Sequence, residues 1–435
     1  MDGSTSRRAF LATATAMTTA LAGCSTGGDG TPTTTSTSTD TETATATATQ
    51  TQSQTDTETG TEGGDEIVAP AIDYGEVLTD FSGDNWYPKR GETLSRDEEA
   101  AISGKHALHV KNPGNNLSTL AFEPFVPFSL EGKNLSMAVK VDAPVGGRME
   151  VRFRAPNGES RYVATRQLPR GRSDWMRIDF GFTRGWNDPN VANIKELRVA
   201  MQGAKGTEVD YWIDDIRITE SAGKPNAILA FYGGRDSHYE TVLPKLEERG
   251  WKAAVPVRPS DIGAAGRMDM GQLREVSDAG WDVCSFPLRS KPLPEMSAER
   301  QRKVITEDKE YLESKGFEDG AQHFFAPGNQ IGGRTAEILR DVHETGFLYG
   351  GSSVGVPPTA PYTLPTINGN AYDSSRDVIL RANKHNQLVT LAFSEIGEDG
   401  MSVEDFEKQL DRIENNAYAG GFNVITPSEL DEKYL

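Results

Sequence analysis

The chain has 435 residues, with 64 Asp or Glu against 45 Lys or Arg, for a formal net charge of −19. That balance excludes a nucleic-acid binder, which needs clustered Lys and Arg, and suits a halophile's protein kept soluble in concentrated salt. Only two cysteines occur, which excludes a disulfide framework, and the length allows two ordinary domains plus extra segments.

At the start, Ser6-Arg7-Arg8-Ala9-Phe10-Leu11 resembles a twin-arginine export motif, and Leu21-Ala22-Gly23-Cys24 resembles a lipobox. The weakly apolar stretch between them is too short to span a bilayer. The resemblance is to a haloarchaeal-type lipoprotein. It implies that residues 1–24 are signal and lipobox, that Cys24 carries the lipid, and that the protein sits on the outer face of the cytoplasmic membrane. Residues 25–66 are almost all Thr, Ser, Ala, Gly, Gln, Asp and Glu. They cannot build a core and read as a disordered, O-glycosylated stalk. One acyl-type anchor binds only marginally, so a second contact with wall or surface layer is expected.

Residues 67–220 alternate apolar and polar positions in short runs: Leu135, Met137, Val139 and Val141; Met149, Val151 and Phe153; Met176, Ile178 and Phe180; Leu197, Val199 and Met201. Each run predicts a half-buried strand, and turns such as Pro156-Asn157-Gly158 separate them, so the segment predicts an antiparallel sandwich. Three stretches resemble jelly-roll carbohydrate-binding modules: Asp80-Phe81-Ser82-Gly83 with Trp86, the run from Ser103 to Val110, and the run from Tyr211 to Ile218. The resemblance implies a polysaccharide partner and a structural calcium, for which Asp97 and Asp214 are suitable oxygen donors. Trp86 and Trp186 lie in polar segments and are the candidate sugar platforms, whereas Trp175 is expected in the core. Asn116-Leu117-Ser118 and Asn134-Leu135-Ser136 are glycosylation sequons.

From residue 225 to 435 strands alternate with helices. Strands are predicted at 228–231, 253–257, 281–286, 323–326, 347–350, 388–393 and 423–426. Helices are predicted at 239–248, 270–279, 298–315, 335–345 and 403–416. Alternation of this kind means a parallel sheet or barrel with helices outside. Gly250, Gly280, Gly316 and Gly346 are placed as left-handed helix caps, and Ser237 with Glu240 as a capping box. Cys284 reads as a small buried residue.

This segment resembles the polysaccharide deacetylases of the NodB homology family. The resemblance rests on Ala230-Phe231-Tyr232-Gly233-Gly234, on the helix from Ser237, on Asp278-Ala279-Gly280-Trp281, and on Ile425-Thr426-Pro427-Ser428-Glu429-Leu430. It implies an incomplete, distorted β/α barrel. It also implies a chemistry in which one Asp and two His hold a divalent metal, a second Asp deprotonates water, and a later His protonates the leaving amine. At those positions this chain has Tyr232 for the base and Gly233 for the metal carboxylate. Phe286 and Ser290 stand for the two metal His, and Ser394 for the acid His; Phe325 opens a third motif that lacks its Arg. No catalytic residues and no metal in the barrel are therefore expected. The mouth would hold Tyr232, Phe286, Phe325, Arg235, Arg289, Asn329 and Glu395, of which Tyr232, Arg235 and Asn329 are candidate ligand contacts.

The expected function is an inactive, glycan-binding member of that family at the cell surface, with no nucleic-acid partner. One alternative is an active, metal-dependent carbohydrate deacetylase with a site outside the recognised motifs; a metal moved to Asp236 and His238 would also need a distant third ligand. Another is a structural component of a surface layer.

Overall fold

The computed structural model describes residues 71–169, 174–287, 291–415 and 420–435. The export signal, Cys24 and the stalk lie outside the described residues, as do Arg289 and Ser290. Among the described residues no helix is long and apolar enough to cross a membrane.

The first part consists of two six-stranded antiparallel sheets. One runs Thr93–Asp97, Ala107–Asn112, Val209–Glu220, Lys133–Ala143 and Met176–Phe180, with Glu76–Val77 added on Val209–Glu220. The other runs Arg184–Trp186, Arg161–Gln167, Arg148–Arg154, Glu196–Gln202, Leu117–Phe122 and Trp86–Pro88. Their alternating apolar positions, among them Met137, Val139, Val151, Val199 and Ile213, form one shared core.

The second part is a parallel barrel. Its strands are β1 (Asn226–Phe231), β2 (Ala254–Val257), β3 (Asp282–Ser285), β4 (His323–Phe325), β5 (Thr345–Tyr349), β6 (Leu364–Asn368) and β7 (Leu388–Phe393). They pair in that order, and β7 returns to β1 in register along its whole length. The barrel closes between β1 and β2 through the pair Ala230 and Ala254. The resemblance implied an incomplete barrel; the structure has seven strands, and they do close. The short strand Asn423–Val424 lies beside β1 outside that ring. Period-two alternation sorts the side chains. Ala227, Leu229 and Phe231 face the helices, while Ile228 and Ala230 fill the interior with Cys284, Phe325 and Phe347.

Several local expectations change. Gly250, Gly280 and Gly316 have positive φ as caps do, but Gly346 lies inside β5 without it, packed against the Tyr362 carbonyl. Ser237 makes no capping bond; the chain enters a π-turn, His238–Val242, before the short helix Leu243–Glu247. Strand β6 and the helix Tyr372–Lys384 were not predicted.

The two parts are packed together. The strand Met176–Phe180, expected to be half-buried, is buried along its whole length, because the barrel covers the face that carries Arg177 and Asp179. Asp179 accepts hydrogen bonds from Thr359 Oγ1 (2.7 Å), Thr359 N and Ala360 N (2.9 Å), on the connection between β5 and β6. The fully buried Arg166 guanidinium donates to the Thr363 carbonyl. Gln387 Oε1 accepts from Phe182 N at 3.0 Å. Asn134, read as a glycosylation sequon, is buried in this contact with its amide toward Val356 O (3.3 Å), so it has no room for a sugar. Trp175, expected in the sandwich core, is half-buried and lines a groove between the parts with Pro361 and Tyr362.

Candidate functional site

In a parallel barrel the C-terminal strand ends converge on one mouth, where loops can present chemistry. Here those ends deliver Tyr232 after β1, Phe286 after β3, Ala326 after β4, Tyr349 on β5, Asn368 on β6 and Ser394 after β7. All of them line one cleft of about 660 Å³. Asn370, Thr366 and, from the sandwich, Gln167 complete its polar lining. Gln167 is held in place by its backbone N–H, which donates to the Gly350 carbonyl at 2.8 Å.

Aromatic packing sets the floor. Tyr232 meets Phe286 (5.5 Å) and Phe325 (5.4 Å) edge-to-face, and Phe325 stacks on Phe347 at 4.5 Å. Burial pushes the Tyr232 phenol up from its usual range, and a hydrogen bond with Thr366 only partly opposes this. At neutral pH the phenol stays protonated and cannot serve as a base. Phe325, read as a mouth residue, is wholly buried beneath this floor. Phe286 is nearly buried, with the Arg258 guanidinium 4.7 Å above its ring.

Gly233 is the most telling position. Its φ is +86°, a region that disfavours side chains, and a Cβ built there would lie 2.2 Å from Arg267 Nη1. Arg267 donates to the Gly233 carbonyl at 2.6 Å. The space of a carboxylate at residue 233 is thus filled by a guanidinium. A divalent cation beside it would meet a fixed positive charge in place of a ligand.

Nor has the metal site moved to Asp236 and His238. His238 Nδ1 accepts from Arg235 N at 3.0 Å, and its Nε2 donates to the Ser394 carbonyl at 2.5 Å. Both ring nitrogens are committed, and burial lowers the pKa to about 4 against the raising effect of the Ser394 bond. The neutral ring ties the first loop to the last. Among the described residues no three His, Cys, Asp or Glu side chains come together as a metal group. These residues do not fit the metal that the family resemblance implies. Ser394 is exposed, its N–H bonded to Asn370 Oδ1 at 2.8 Å. Arg235 Nη1 pairs with Glu395 Oε2 at 3.2 Å. Asn329 ends the turn Pro327–Asn329, and its side chain lies outside the described residues.

The sandwich candidates sort differently. Trp86, expected as a platform, is 7% exposed and stacks on Phe122 at 5.0 Å, with Phe81 at 5.7 Å. It is a core residue because strand Trp86–Pro88 turns it inward. Trp186 is 40% exposed, and the Arg161 guanidinium lies 4.3 Å over its ring. The Asp97 and Asp214 carboxylates do not fit calcium as arranged. Asp214 accepts backbone N–H bonds from Ile102 (2.8 Å), Ser103 (3.1 Å) and Asp215 (2.7 Å). Asp97 accepts from the Trp212 indole (2.9 Å) and Ala100 N (3.0 Å). Each oxygen of the pair already takes an N–H donor, and among the described residues no third His, Cys, Asp or Glu side chain joins them as a metal group, whereas calcium takes about six to eight oxygen ligands.

The sequence reading overlooked Arg258, Arg267, Gln167, Tyr349, Asn368 and Asn370. Asn368 ends the unpredicted β6 and Asn370 follows it. Arg267 gave no motif signal; the bare Gly233 was the only hint that something else fills that space.

A family model described as Polysaccharide deacetylase matches residues 219–349, so a domain of that family is present in the C-terminal half. No curated protein matches the chain. Among solved structures, it is similar to the Xyl-CE4 domain of a multidomain xylanase from the hindgut metagenome of Trinervitermes trinervoides (16% identity, TM-score 0.35, 48% of this chain and 91% of that one). It is also similar to the Streptococcus pyogenes deacetylase PplD in complex with acetate (18%, TM-score 0.30, 32% and 62%). A third is the family 11 carbohydrate-binding module of a Clostridium thermocellum cellulosomal cellulase (16%, TM-score 0.27, 35% and 97%). The chain spans 25% of the length of each of two agarases that it also matches.

Proposed function

We propose that this protein, with its polysaccharide-deacetylase domain, binds glycan at the cell surface and does not hydrolyse it. One observation carries the reading: the position of the metal carboxylate is Gly233, and Arg267 fills its space. The rest of the mouth agrees. Its cleft is lined by aromatic rings, amides and hydroxyls, with no carboxylate or imidazole among the described lining residues. Such a surface suits a sugar ring, which offers an apolar face for stacking and hydroxyls for amide hydrogen bonds. The jelly-roll resemblance of the sandwich supports the same partner. Attachment through Cys24 after twin-arginine export rests on the two N-terminal motifs, and replacing Cys24 by Ser should release the protein from membranes.

The test is a paired measurement on the purified protein in high salt: acetate release from N-acetylated and O-acetylated oligosaccharides, with and without zinc, and calorimetric binding of the same sugars. Binding without release is expected. Release that a chelator abolishes and zinc restores would show a working deacetylase. Neither binding nor release would leave a structural surface-layer role.

A further inference from the structure

One lip of the barrel mouth concentrates positive charge in an otherwise acidic chain. Arg235 follows β1, Arg258 follows β2, and Arg267 lies on the next loop, where an isolated bridge pairs residues 235 and 267. Two carboxylates lie among them. Glu395 pairs with Arg235 at 3.2 Å, and Asp261 sits 3.7 Å from Arg258. Arg267 is left over. Among the described residues no carboxylate approaches its guanidinium within 4 Å, and the hydrogen bond that guanidinium makes goes to the neutral Gly233 carbonyl. The Nε atoms of Arg235 and Arg258 are buried without a partner. Partly buried charges are normally paired, and like charges this close repel. Burial, and then Arg235 with Arg258, push the Arg267 pKa down, and Asp261 and Glu395, both beyond ion-pair distance of it, oppose that repulsion only in part. An anion on this lip would relieve it.

The lip adjoins the aromatic cleft directly, because Arg258 lies over Phe286 and Phe286 walls the cleft. We infer that the mouth selects an anionic glycan, one sugar lying against the aromatic wall and a carboxylate or sulfate ester of the same chain meeting the guanidiniums of Arg258 and Arg267. Guanidinium suits both groups, since its planar fork can give two parallel N–H bonds to either oxyanion. The inference rests on the glycan-binding reading above and narrows it to acidic polysaccharide. A chain of net charge −19 would repel such a polymer elsewhere, which would confine docking to this lip.

The experiment is calorimetry on the full chain with three oligosaccharides of equal length: an oligogalacturonate, a sulfated oligosaccharide and a neutral one, each over a range of salt. At least one anionic ligand should bind tenfold or more tightly than the neutral one at the lowest salt that keeps the protein folded, and the ratio should shrink as salt rises. Arg267→Gln, which keeps a donor for the Gly233 carbonyl, should bring the ratio close to one. Arg258→Gln provides a second test if that variant does not fold. The carboxylate and sulfate arms show which oxyanion is preferred. Equal binding of neutral and anionic ligands, or a preference that survives both substitutions, overturns this inference and leaves glycan binding standing. Binding of none of the three overturns both.

Discussion

Tyr232, Phe286 and Tyr349 in the barrel and Trp86 and Trp186 in the sandwich all sit on or just beyond strands, but only the first group walls a cleft. The difference is topological. Parallel strands wound into a closed ring bring all their C-terminal ends around one axis, so aromatic residues from different strands face one another across the opening. Antiparallel strands in a sandwich send alternate residues either into a filled core or out to an open face. Trp86 takes the first course and Trp186 the second. An aromatic residue is therefore a ring platform only where the fold leaves space before it and neighbours beside it.

The comparison can be broken first at Trp86. Because its indole is stacked in the core, Trp86→Ala should destabilise the protein by about 3–5 kcal/mol. A chemical denaturation curve would show this, while the protein that remains folded keeps its glycan affinity. A variant of normal stability that lost binding would put the reader in the sandwich.

How far this outcome was legible follows from what alternation can carry. Period two separated inside from outside on the sandwich strands, and the helix–strand rhythm gave a parallel sheet or barrel, which the family resemblance narrowed to a barrel. The pattern could not say that the polar side of Met176–Phe180 is also covered. Arg177 and Asp179 look like surface residues in sequence, and only the Thr359 and Ala360 contacts make them interior. Strand β6 was hidden by Pro365, which breaks the usual signature of a central strand. At the site, the missing carboxylates and imidazoles were plain. What replaced them was not, since Arg267 reaches Gly233 from 34 residues away.

A second break probes what holds the mouth in place. Asp308, buried on the helix Ala298–Glu313, accepts from Ser285 Oγ at 2.6 Å and from Phe286 N at 3.0 Å, and so fixes the end of β3. Burial raises its pKa to about 7 against those two hydrogen bonds. A carboxyl with a raised folded-state pKa stabilises the fold at low pH, and that contribution is lost as pH climbs through the folded value. Asp308→Asn should match the parent near pH 3, below the unfolded carboxyl pKa, exceed it by about 1.5 kcal/mol at pH 5, and exceed it at pH 8 by on the order of 4 kcal/mol. The buried histidines act in the opposite direction. His238 and His385 are lowered to about 4, and His323 to about 3, in each case chiefly by burial. Their contribution is full above about pH 6.5 and is lost as pH falls toward those values. The difference between parent and variant across pH isolates Asp308, and a difference that does not change with pH would remove it as a titrating prop.

A smaller effect is expected at Tyr349, which is half-exposed on the rim of the cleft. Tyr349→Ala should cost no more than about 0.5 kcal/mol of stability, since little of the ring is buried. It should weaken glycan binding several-fold, because a lost stacking face is worth about 0.5–1.5 kcal/mol. Thermal melting and calorimetry together separate the two readouts, and unchanged affinity would move the binding surface away from β5.

The smallest change is expected at Trp186, where the contrast between the two regions is sharpest. Its strand, Arg184–Trp186, is an edge strand paired only with Arg161–Gln167, and its ring is the most exposed Trp ring of the sandwich. Exposure alone would recommend it. However, Arg161 lies 4.3 Å over the ring and Arg184 5.9 Å away, so a sugar would have to displace a cation attracted to the same face. That attraction is worth about 0.5–1 kcal/mol at an exposed site, comparable to what one stacked sugar would return. The two terms nearly cancel, and no second aromatic ring lies near Trp186 among the described residues to tip the balance. Trp186→Ala should therefore change affinity less than twofold, where Tyr349→Ala changes it several-fold. The reverse ranking would mean that the cation yields its place to the ligand, and that the sandwich edge, with the barrel mouth as bystander, is the surface that reads the glycan.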